Sequence, residues 1–363
     1  MKVKIIGAGS IGNHHAQSAR AMGWDVVVVD TSMEALERMK YEIYPERYGA
    51  WDEEIKLWHP DFPNAKEAPK GNFDIIMIDT PPDVRMKLAL EALQEKPKLL
   101  HLEKPICAPI PEDLELLEEF LRRWKKECEE CKVTVGYNHA VSAGIRTLTE
   151  LIKRGSLGEA LTIDVEFREH WKGIFKAHPW LKGPQDSYLG YLKRGGGAGG
   201  EHSHALHLFL YLAKICGWTK SSMANPISSD MDLAGDYDQL IAFQLNYWGD
   251  QKFSQDSERV GRVIQDVITN PPKKMTRIQG TKGAVKWICE KDREVVSCYF
   301  ESLGENWGEK EIVIPKKRKD DFLWLMQYYD DLLTGKADYK DSPLHIDYGV
   351  EVIKILYNAY NGY

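Results

Sequence analysis

The sequence lacks the features that mark several classes of protein. Its 363 residues contain no apolar run that approaches the ~18–20 residues of a membrane helix. Only 6 of them are cysteines, too few for a disulfide framework in so long a chain, and we expect reduced thiols in a cytoplasmic protein. With a formal net charge of −7, the chain has no excess of basic residues to neutralise nucleic-acid phosphates. We therefore expect a globular protein that binds neither membranes nor nucleic acids.

The pattern of apolar residues changes near residue 137 and predicts two domains. Before this point β-branched runs alternate with amphipathic stretches, which is typical of βαβ units and a parallel sheet. After it, strand-like segments follow one another without helices between them, which favours a mostly antiparallel or mixed sheet. The segment Tyr41–Asn72 fits neither pattern. Because it is rich in aromatic residues, proline and charge, we expect an irregular insertion there.

The predicted elements follow from these periodicities. The predicted strands are Lys2–Ile6, Asp25–Asp30, Phe73–Asp79, Leu99–Leu102, Val133–Tyr137, Ala160–Glu169, Asp236–Asn246, Arg259–Val267, Met275–Gln279, Ala284–Cys289 and Glu294–Phe300. The predicted helices are Ile11–Met22, one that a capping-box pattern opens at Thr31–Glu34, Val84–Gln94, Glu112–Glu127, Gly144–Arg154, Ser203–Ile215, Asp320–Leu333 and Leu344–Asn361.

The strongest motif is the GxGxxG run Gly7–Gly12, which follows a predicted strand and opens a predicted helix. Gly7 permits a tight turn, Gly9 lets the backbone approach a pyrophosphate, and Gly12 allows close helix–strand packing. Asp30 ends the next strand, 18 residues after Gly12, where its carboxylate can accept hydrogen bonds from ribose hydroxyls and repel a 2′-phosphate. These features favour NAD over NADP. The alternative is a glycine-rich turn without a ligand.

Two further motifs, Thr80-Pro81-Pro82 and Glu103-Lys104-Pro105, follow later strands of the predicted parallel sheet. Ligands bind at the carboxyl ends of such strands. The ammonium of Lys104 could hydrogen-bond a substrate hydroxyl and stabilise a developing alkoxide. The alternative for a lysine at a strand end is an ordinary surface charge.

A flexible glycine run, Gly195–Gly200, leads to a helix start with one carboxylate and three imidazoles. Glu201, His204 and His207 recur at intervals of three and can share one face of a helix. A histidine near neutrality can take a proton from an alcohol as hydride leaves. Zinc binding is an alternative, and His207 alone could be a core residue, but no known ligand spacing accompanies the cluster and we expect no metal.

An aromatic and basic stretch precedes this segment. Its rings can stack on the C–H faces of a sugar, and we favour a loop that lines the substrate site over ordinary packing. The predicted substrate-binding residues are His207, Arg168, His170, Trp171 and Trp180.

Together these motifs resemble the Gfo/Idh/MocA family, which includes glucose–fructose oxidoreductase and inositol dehydrogenase. The resemblance extends over nearly the whole chain. The segments that carry it are GAGSIG at Gly7–Gly12, TPP at Thr80–Pro82, EKP at Glu103–Pro105, VGYNH at Val135–His139, IKRGSLGE at Ile152–Glu159, the run from GGG to HALH, and GTKGAVKW at Gly280–Trp287. The resemblance implies that Lys104 is the family's EKP lysine and that His204 is its acid/base histidine.

The resemblance also implies the fold: an N-terminal Rossmann domain with a parallel sheet, and a C-terminal α/β domain with a large, open, mostly antiparallel sheet that often forms a dimer. We expect the NAD-binding domain over residues 1–137, a substrate-binding and dimerisation domain over 138–342, and a C-terminal helix over 343–363 that packs back on the Rossmann domain. The expected assembly is a homodimer or homotetramer.

The chain departs from the family's pattern around His204. The family has an Asp after GGG, four residues before the His, and another Asp three residues after it. Here Gly200 and His207 occupy these places, and the nearest acid is Glu201. The histidine that usually follows TPP is replaced by Arg85. We therefore expect Glu201 or His207 to support His204 in an altered substrate pocket.

The function expected from this sequence is NAD-dependent oxidation of a secondary alcohol in a sugar, cyclitol or sugar derivative. The expected catalytic residues are Lys104, His204 and Glu201. The expected cofactor-binding residues are Gly7, Gly9, Ser10, Ile11, Gly12, Asp30, Thr31, Thr80, Pro81, Arg85, Glu103, Lys104 and Asn138. Two alternatives remain: an NAD-dependent glycosidase that uses transient oxidation, and a non-catalytic NAD-binding regulator.

Overall fold

The computed structural model describes residues 1–62, 68–232, 234–249, 258–301 and 307–361, together with the backbone but not every side chain of the strands that border the gaps. The chain divides into two compact units. The first comprises residues 1–138, 193–195 and 319–349, and the second comprises residues 139–192, 196–318 and 350–363. Residues 319–342, which the sequence analysis assigned to the second domain, therefore group with the first unit.

The first unit contains a six-stranded parallel sheet in the order β3-β2-β1-β4-β5-β6. Its strands are β1 (Lys2–Ile6), β2 (Asp25–Val29), β3 (Ile55–Trp58), β4 (Ile75–Ile78), β5 (Leu99–Leu102) and β6 (Lys132–Val135). All four residues of β4 and of β5 are buried, as a strand with both faces covered requires. The strand order is that of doubly wound dinucleotide-binding folds, so the predicted parallel α/β architecture is confirmed.

The helices of this unit are α1 (Ser10–Ala21), α2 (Met33–Arg38), α3 (Tyr44–Tyr48), α4 (Pro82–Gln94), α5 (Pro111–Glu127) and α10 (Asp320–Leu333). The side chain of Ser32 accepts a hydrogen bond from the Ala35 N–H, which is the cap expected at the start of α2.

The prediction of an irregular insertion over Tyr41–Asn72 is wrong for its first part. A π-helical turn at Met39–Ile43 and α3 continue α2, and β3 adds an edge strand to the sheet. Residues 63–67 lie outside the described part. The strand β3 could not be recognised from the sequence, because it is only four residues long and aromatic and charged residues surround it in the chain.

The second unit contains an eight-stranded sheet in the order β14-β13-β12-β11-β7-β10-β9-β8. Its strands are β7 (Ala160–Arg168), β8 (Trp218–Met231), β9 (Asp238–Gly249), β10 (Glu258–Asp266), β11 (Lys273–Gly280), β12 (Gly283–Cys289), β13 (Arg293–Glu301) and β14 (Trp307–Pro315). Only the β7–β10 pair is parallel among the strand pairs described for this sheet, which confirms the predicted mostly antiparallel sheet. The strands β8 and β14 were not predicted from the sequence.

The helices of this unit are α6 (Ala143–Lys153), α7 (Trp171–Lys176), α8 (Gly197–Glu201) and α9 (His204–Ile215), and the last helix of the chain, α11 (Ile346–Asn361), contributes its residues from 350 onward. On one face of the sheet, α9 packs against β7, β8 and β10, and α6 packs against β12 and β13.

The opposite face of the central strands carries charged pairs. Arg262 binds Asp164 through an Nε–Oδ1 contact of 2.6 Å, and Lys273 binds Glu166 at 2.9 Å. The Arg262 side chain is 60% exposed. This face of the central strands is therefore polar.

No helix in the described residues is long and apolar enough to cross a membrane. All 6 cysteines lie in the described part of the chain, and none of them forms a disulfide.

Candidate active site

The loop after β1 has the geometry of a phosphate-binding turn. Gly7 has φ +118°, in the region that favours glycine, and a side chain on Gly12 would overlap the Gly7 carbonyl oxygen. Nothing lies within 4 Å of the place where a Cβ of Gly9 would be. The N–H groups of the first turn of α1 have no carbonyl partner within the helix. An open backbone face beside these groups fits a dinucleotide pyrophosphate.

The carboxylate of Asp30 lies beside this loop. One oxygen accepts the Ala8 N–H at 2.7 Å, and the other accepts the Ser32 N–H at 2.8 Å. Each oxygen has a second lone pair that can accept a ribose hydroxyl. Thr31, which lies between Asp30 and Ser32 in the chain, is exposed. The structure thus places Asp30 directly after β2 and beside the glycine loop.

The end of β4 supplies a second group of predicted cofactor residues. Thr80 is half-buried and Pro81 is exposed. The Thr80 hydroxyl is buried without a hydrogen-bond partner among the described residues, so it can hydrogen-bond a ligand. Arg85, by contrast, is only 2% exposed and donates to the backbone carbonyls of Thr80, Glu103 and Pro105. Its guanidinium therefore connects the segments that follow β4 and β5.

The EKP turn follows β5. The carboxylate of Glu103 accepts the Lys104 N–H at 2.9 Å and lies 3.8 Å from Nε2 of His101. Burial alone would raise the pKa of the Glu103 carboxyl. The hydrogen bond and charge of His101, with smaller contributions from His15 and Lys104, lower this pKa to about 2. An ionised Glu103 therefore holds the half-buried Lys104 at the strand end. Asn138, also a predicted cofactor residue, is buried at the start of a 3-10 turn.

A buried polar cluster that the sequence analysis did not foresee lies beneath these strand ends. It consists of His15 on α1, Asp79 after β4 and His101 in β5, with their side-chain ligand atoms within 4.8 Å of one another. The Nδ1 atom of His15 is 2.8 Å from Asp79, whereas two ligand atoms of one zinc ion are about 3.3 Å apart. This contact is therefore a hydrogen bond. His101 also contacts the Tyr329 hydroxyl at 2.5 Å.

In the second unit, the glycine run is a packed helical turn. Residues 196–200 are buried, and residues 197–201 form α8. A side chain on Gly196 would overlap the Tyr188 carbonyl, and one on Gly199 would overlap the Tyr360 hydroxyl. Gly197 has φ +81° and lies against Asp238. The expectation of a flexible run is wrong, because these glycines are required by close packing.

Two buried polar side chains of the sheet hold α8. Asp238, at the start of β9, accepts the Gly199 N–H at 2.9 Å, and the Gln265 amide donates to the carbonyls of Ala198 and Gly199 at 3.3 and 3.2 Å. Burial raises the pKa of Asp238 to about 6, although its hydrogen bonds oppose this shift. Burial and the charge of Asp238 also raise the pKa of Tyr360. Periodicity could not reveal this support, because Asp238 and Gln265 are far from α8 in sequence.

His204 begins α9, immediately after this supported turn. Its ring lies 5.0 Å from that of His139, nearly perpendicular to it, and is stacked 5.8 Å from Phe167. His204 is half-buried, whereas His207, one turn later, is 1% exposed. Glu201 ends α8, so the helix break at residues 202–203 separates it from the face that the two histidines share. His139 was not predicted as a site residue from the sequence, although it lies in the VGYNH motif.

The other predicted substrate residues occupy different environments. Arg168 points away from the Phe167 face of β7 and binds Asp266 at 2.5 Å. His170 caps α7 by accepting the Lys172 N–H. Trp171 is buried in a small core with Tyr237 and Ala198, and the half-buried Trp180 contacts His178. The structure does not bring Arg168 to the same face as His204.

The N-terminal part of the chain matches a known family. Residues 1–137 match the Gfo/Idh/MocA model, described as an oxidoreductase family with an NAD-binding Rossmann fold. No curated protein matches the sequence significantly.

Solved structures share the fold over nearly the whole chain. Levoglucosan dehydrogenase in complex with NADH and levoglucosan is similar with a TM-score of 0.70 and 16% identity, over 99% of this chain and 97% of that one. Aldose-aldose oxidoreductase from Caulobacter crescentus, complexed with glycerol, has a TM-score of 0.68 and 17% identity, over 99% and 96%. An oxidoreductase from Agrobacterium radiobacter in complex with NAD⁺, L-tartaric acid and magnesium has a TM-score of 0.70 and 16% identity, over 100% and 97%.

Proposed function

We propose that the protein oxidises a secondary alcohol of a sugar, cyclitol or sugar derivative, starting from the match of residues 1–137 to the NAD-binding Rossmann fold of the Gfo/Idh/MocA oxidoreductases. The observation that carries the proposal is the placement of His204. His204 is half-buried and is the first residue of α9. Buried polar contacts hold α8, the short helix that precedes it. Such fixed placement is what a group that transfers a proton to or from a bound substrate requires.

In this proposal two side chains take part in the reaction. Lys104 donates a hydrogen bond to the substrate hydroxyl and stabilises negative charge on its oxygen. His204 accepts the hydroxyl proton, so that the alcohol becomes a carbonyl when the carbinol hydride leaves. Glu201 or His207 supports the imidazole. Bound NAD supplies the hydride acceptor.

The residues that would hold NAD are the loop from Gly7 to Gly12, Asp30 and the Thr80 hydroxyl. The open face above Gly9 and the buried, unsatisfied Thr80 hydroxyl support this fit. The similar structures named above carry NADH with levoglucosan, or glycerol, or NAD⁺ with L-tartaric acid. These polyhydroxylated ligands support a substrate with several hydroxyl groups.

The proposal is tested by following NADH formation with a panel of sugars, cyclitols and sugar derivatives. We expect NAD-dependent oxidation of at least one of them, and loss of this activity in His204→Asn. Release of an aglycone from glycosides without net NADH would favour the glycosidase. NAD binding without turnover of any compound in either assay would favour the regulator.

We also propose a cytoplasmic homodimer or homotetramer that uses the charged face of the second sheet. Six cysteines without a disulfide support the cytoplasm. The ion pairs of Asp164 with Arg262 and of Glu166 with Lys273 place both charge signs on one face, which suits a self-complementary interface.

A further inference from the structure

A π-helical turn brings Arg47 to the dinucleotide-binding helix. Between α2 and α3 the Tyr44 N–H donates to the Met39 carbonyl, five residues back. Pro45 follows and has no N–H to continue regular α-helical bonding. The turn inserts one residue into the helical register, and π-helical turns are frequent at functional sites.

Arg47 lies on the first turn of α1. One guanidinium nitrogen donates to the Ser10 carbonyl and lies 3.2 Å from Nε2 of His14, and the other donates to the Ser10 hydroxyl at 3.0 Å. The other ring nitrogen of His14 contacts the Tyr48 hydroxyl, and the His14 ring is stacked 4.2 Å from Phe322. The guanidinium is thus held in one place beside Ser10.

This placement puts a guanidinium beside the N-terminus of a helix. The N-terminus of a helix carries partial positive charge, so a cation beside it is repelled and an anion is attracted. Because the Ser10 oxygen accepts from Arg47, its own hydrogen is available for another acceptor. An anion at the first turn would be attracted both by the helix N-terminus and by the guanidinium, and would accept this hydrogen.

We propose that Arg47 is a further positioning residue of the cofactor site, which favours the dinucleotide pyrophosphate through its charge and through the Ser10 hydroxyl that it orients. The ligand chemistry is a diphosphate ester. The inference rests on the NAD-binding domain and is independent of the substrate.

Calorimetric titration of the full chain with ADP and with adenosine tests this role. In Arg47→Gln we expect roughly tenfold weaker binding of ADP, the loss typical of one charge-assisted contact, and unchanged binding of adenosine. Arg47→Lys should recover part of the loss. The matched control is Arg38→Gln, because Arg38 lies on α2 and pairs with the exposed Glu34 at 3.0 Å.

Equal weakening of ADP and adenosine would show that Arg47 only holds the two helices together, and would overturn the proposal. So would unchanged ADP binding, or a wild-type protein that does not bind ADP. The thermal unfolding temperature of each variant shows whether it folds. Ser10→Ala completes a double-mutant cycle. We expect the two losses to be non-additive, and additive losses would overturn the route through the Ser10 hydroxyl.

Discussion

The Nδ1 atom of His15 lies 2.8 Å from a carboxylate oxygen of Asp79, and neither side chain is exposed to solvent. Burial would lower the pKa of His15, but the charge and hydrogen bond of Asp79 outweigh it and raise this pKa. The first helix of the Rossmann unit is thereby joined to the end of β4 by a buried ion pair.

Replacement of His15 with Asn should be strongly destabilising, because it leaves the buried Asp79 carboxylate without its charged partner, at a cost of about 3–5 kcal/mol. A raised histidine pKa stabilises the fold fully below its unfolded value of 6.5, and this contribution is lost as pH rises through the folded value. The destabilisation, measured by urea unfolding, should be larger near pH 6 than near pH 9. An equal loss in the free energy of unfolding at both pH values would contradict an ion pair between His15 and Asp79.

Asp238 should make the second unit less stable as pH rises. Its pKa is about 6 in the folded protein and 3.8 ordinarily, so the folded state binds more protons between these values. This contribution to the free energy of unfolding is therefore complete below pH 3.8 and is lost as pH rises through about 6. Urea unfolding across this range should show the decrease in wild type and in the exposed control Asp236→Asn, and a weaker one in Asp238→Asn. Identical slopes in all three would contradict the assignment.

Loss of the His204 imidazole should lower turnover without affecting NAD affinity. We expect His204→Asn to reduce kcat by roughly 10²–10⁴, with partial recovery at high pH as hydroxide takes the proton. Lys104→Met should lower kcat and should also weaken the binding of cofactor or substrate. His345→Gln, which removes an imidazole packed on Trp124 and Tyr339, is the control. Near-normal turnover in His204→Asn together with inactive Glu201→Gln would assign the acid/base role to Glu201.

Asp30 should make the protein prefer NAD over NADP. A 2′-phosphate near this carboxylate would be repelled by about 1–3 kcal/mol, which is roughly 5–150-fold in affinity. Calorimetry with both cofactors gives the ratio of the NADP dissociation constant to the NAD dissociation constant. Asp30→Asn should bring this ratio closer to one, while Glu34→Gln, which removes an exposed acid on α2, should leave it unchanged. Tighter binding of NADP by the wild type would mean that basic residues accept the extra phosphate.

The proposed assembly should depend on salt. Exposed ion pairs such as Arg262 with Asp164 are screened as ionic strength rises, so a dimer that uses them should dissociate more readily near 1 M salt than near 0.1 M. Light scattering gives the mass at each salt concentration. A mass near the 41.6 kDa of one chain at both would exclude the interface.

The parts that sequence predicted best are those with local causes. The strand at Leu99–Leu102 and the helix at Asp320–Leu333 have the predicted bounds, because continuous burial and amphipathic spacing are both local patterns. β8 was missed because its sequence contains Pro226 and several serines, so only its pairing with β9 defines it. The support of α8 by Asp238 and Gln265, and the contact of His139 with His204, depend on residues distant in sequence. No motif within one segment could have predicted them.

The central position of β7 determines when the second unit can form during synthesis. Its partner β10 follows much later in the chain, and the Asp164–Arg262 pair across these strands spans 98 residues. In the first unit, the His14 ring at the start of the chain stacks on Phe322 near its end. A nascent chain therefore cannot complete either unit until the ribosome has made most of it. Until the later partner strands have left the ribosome, β7 and its neighbouring strands are exposed and need protection from aggregation.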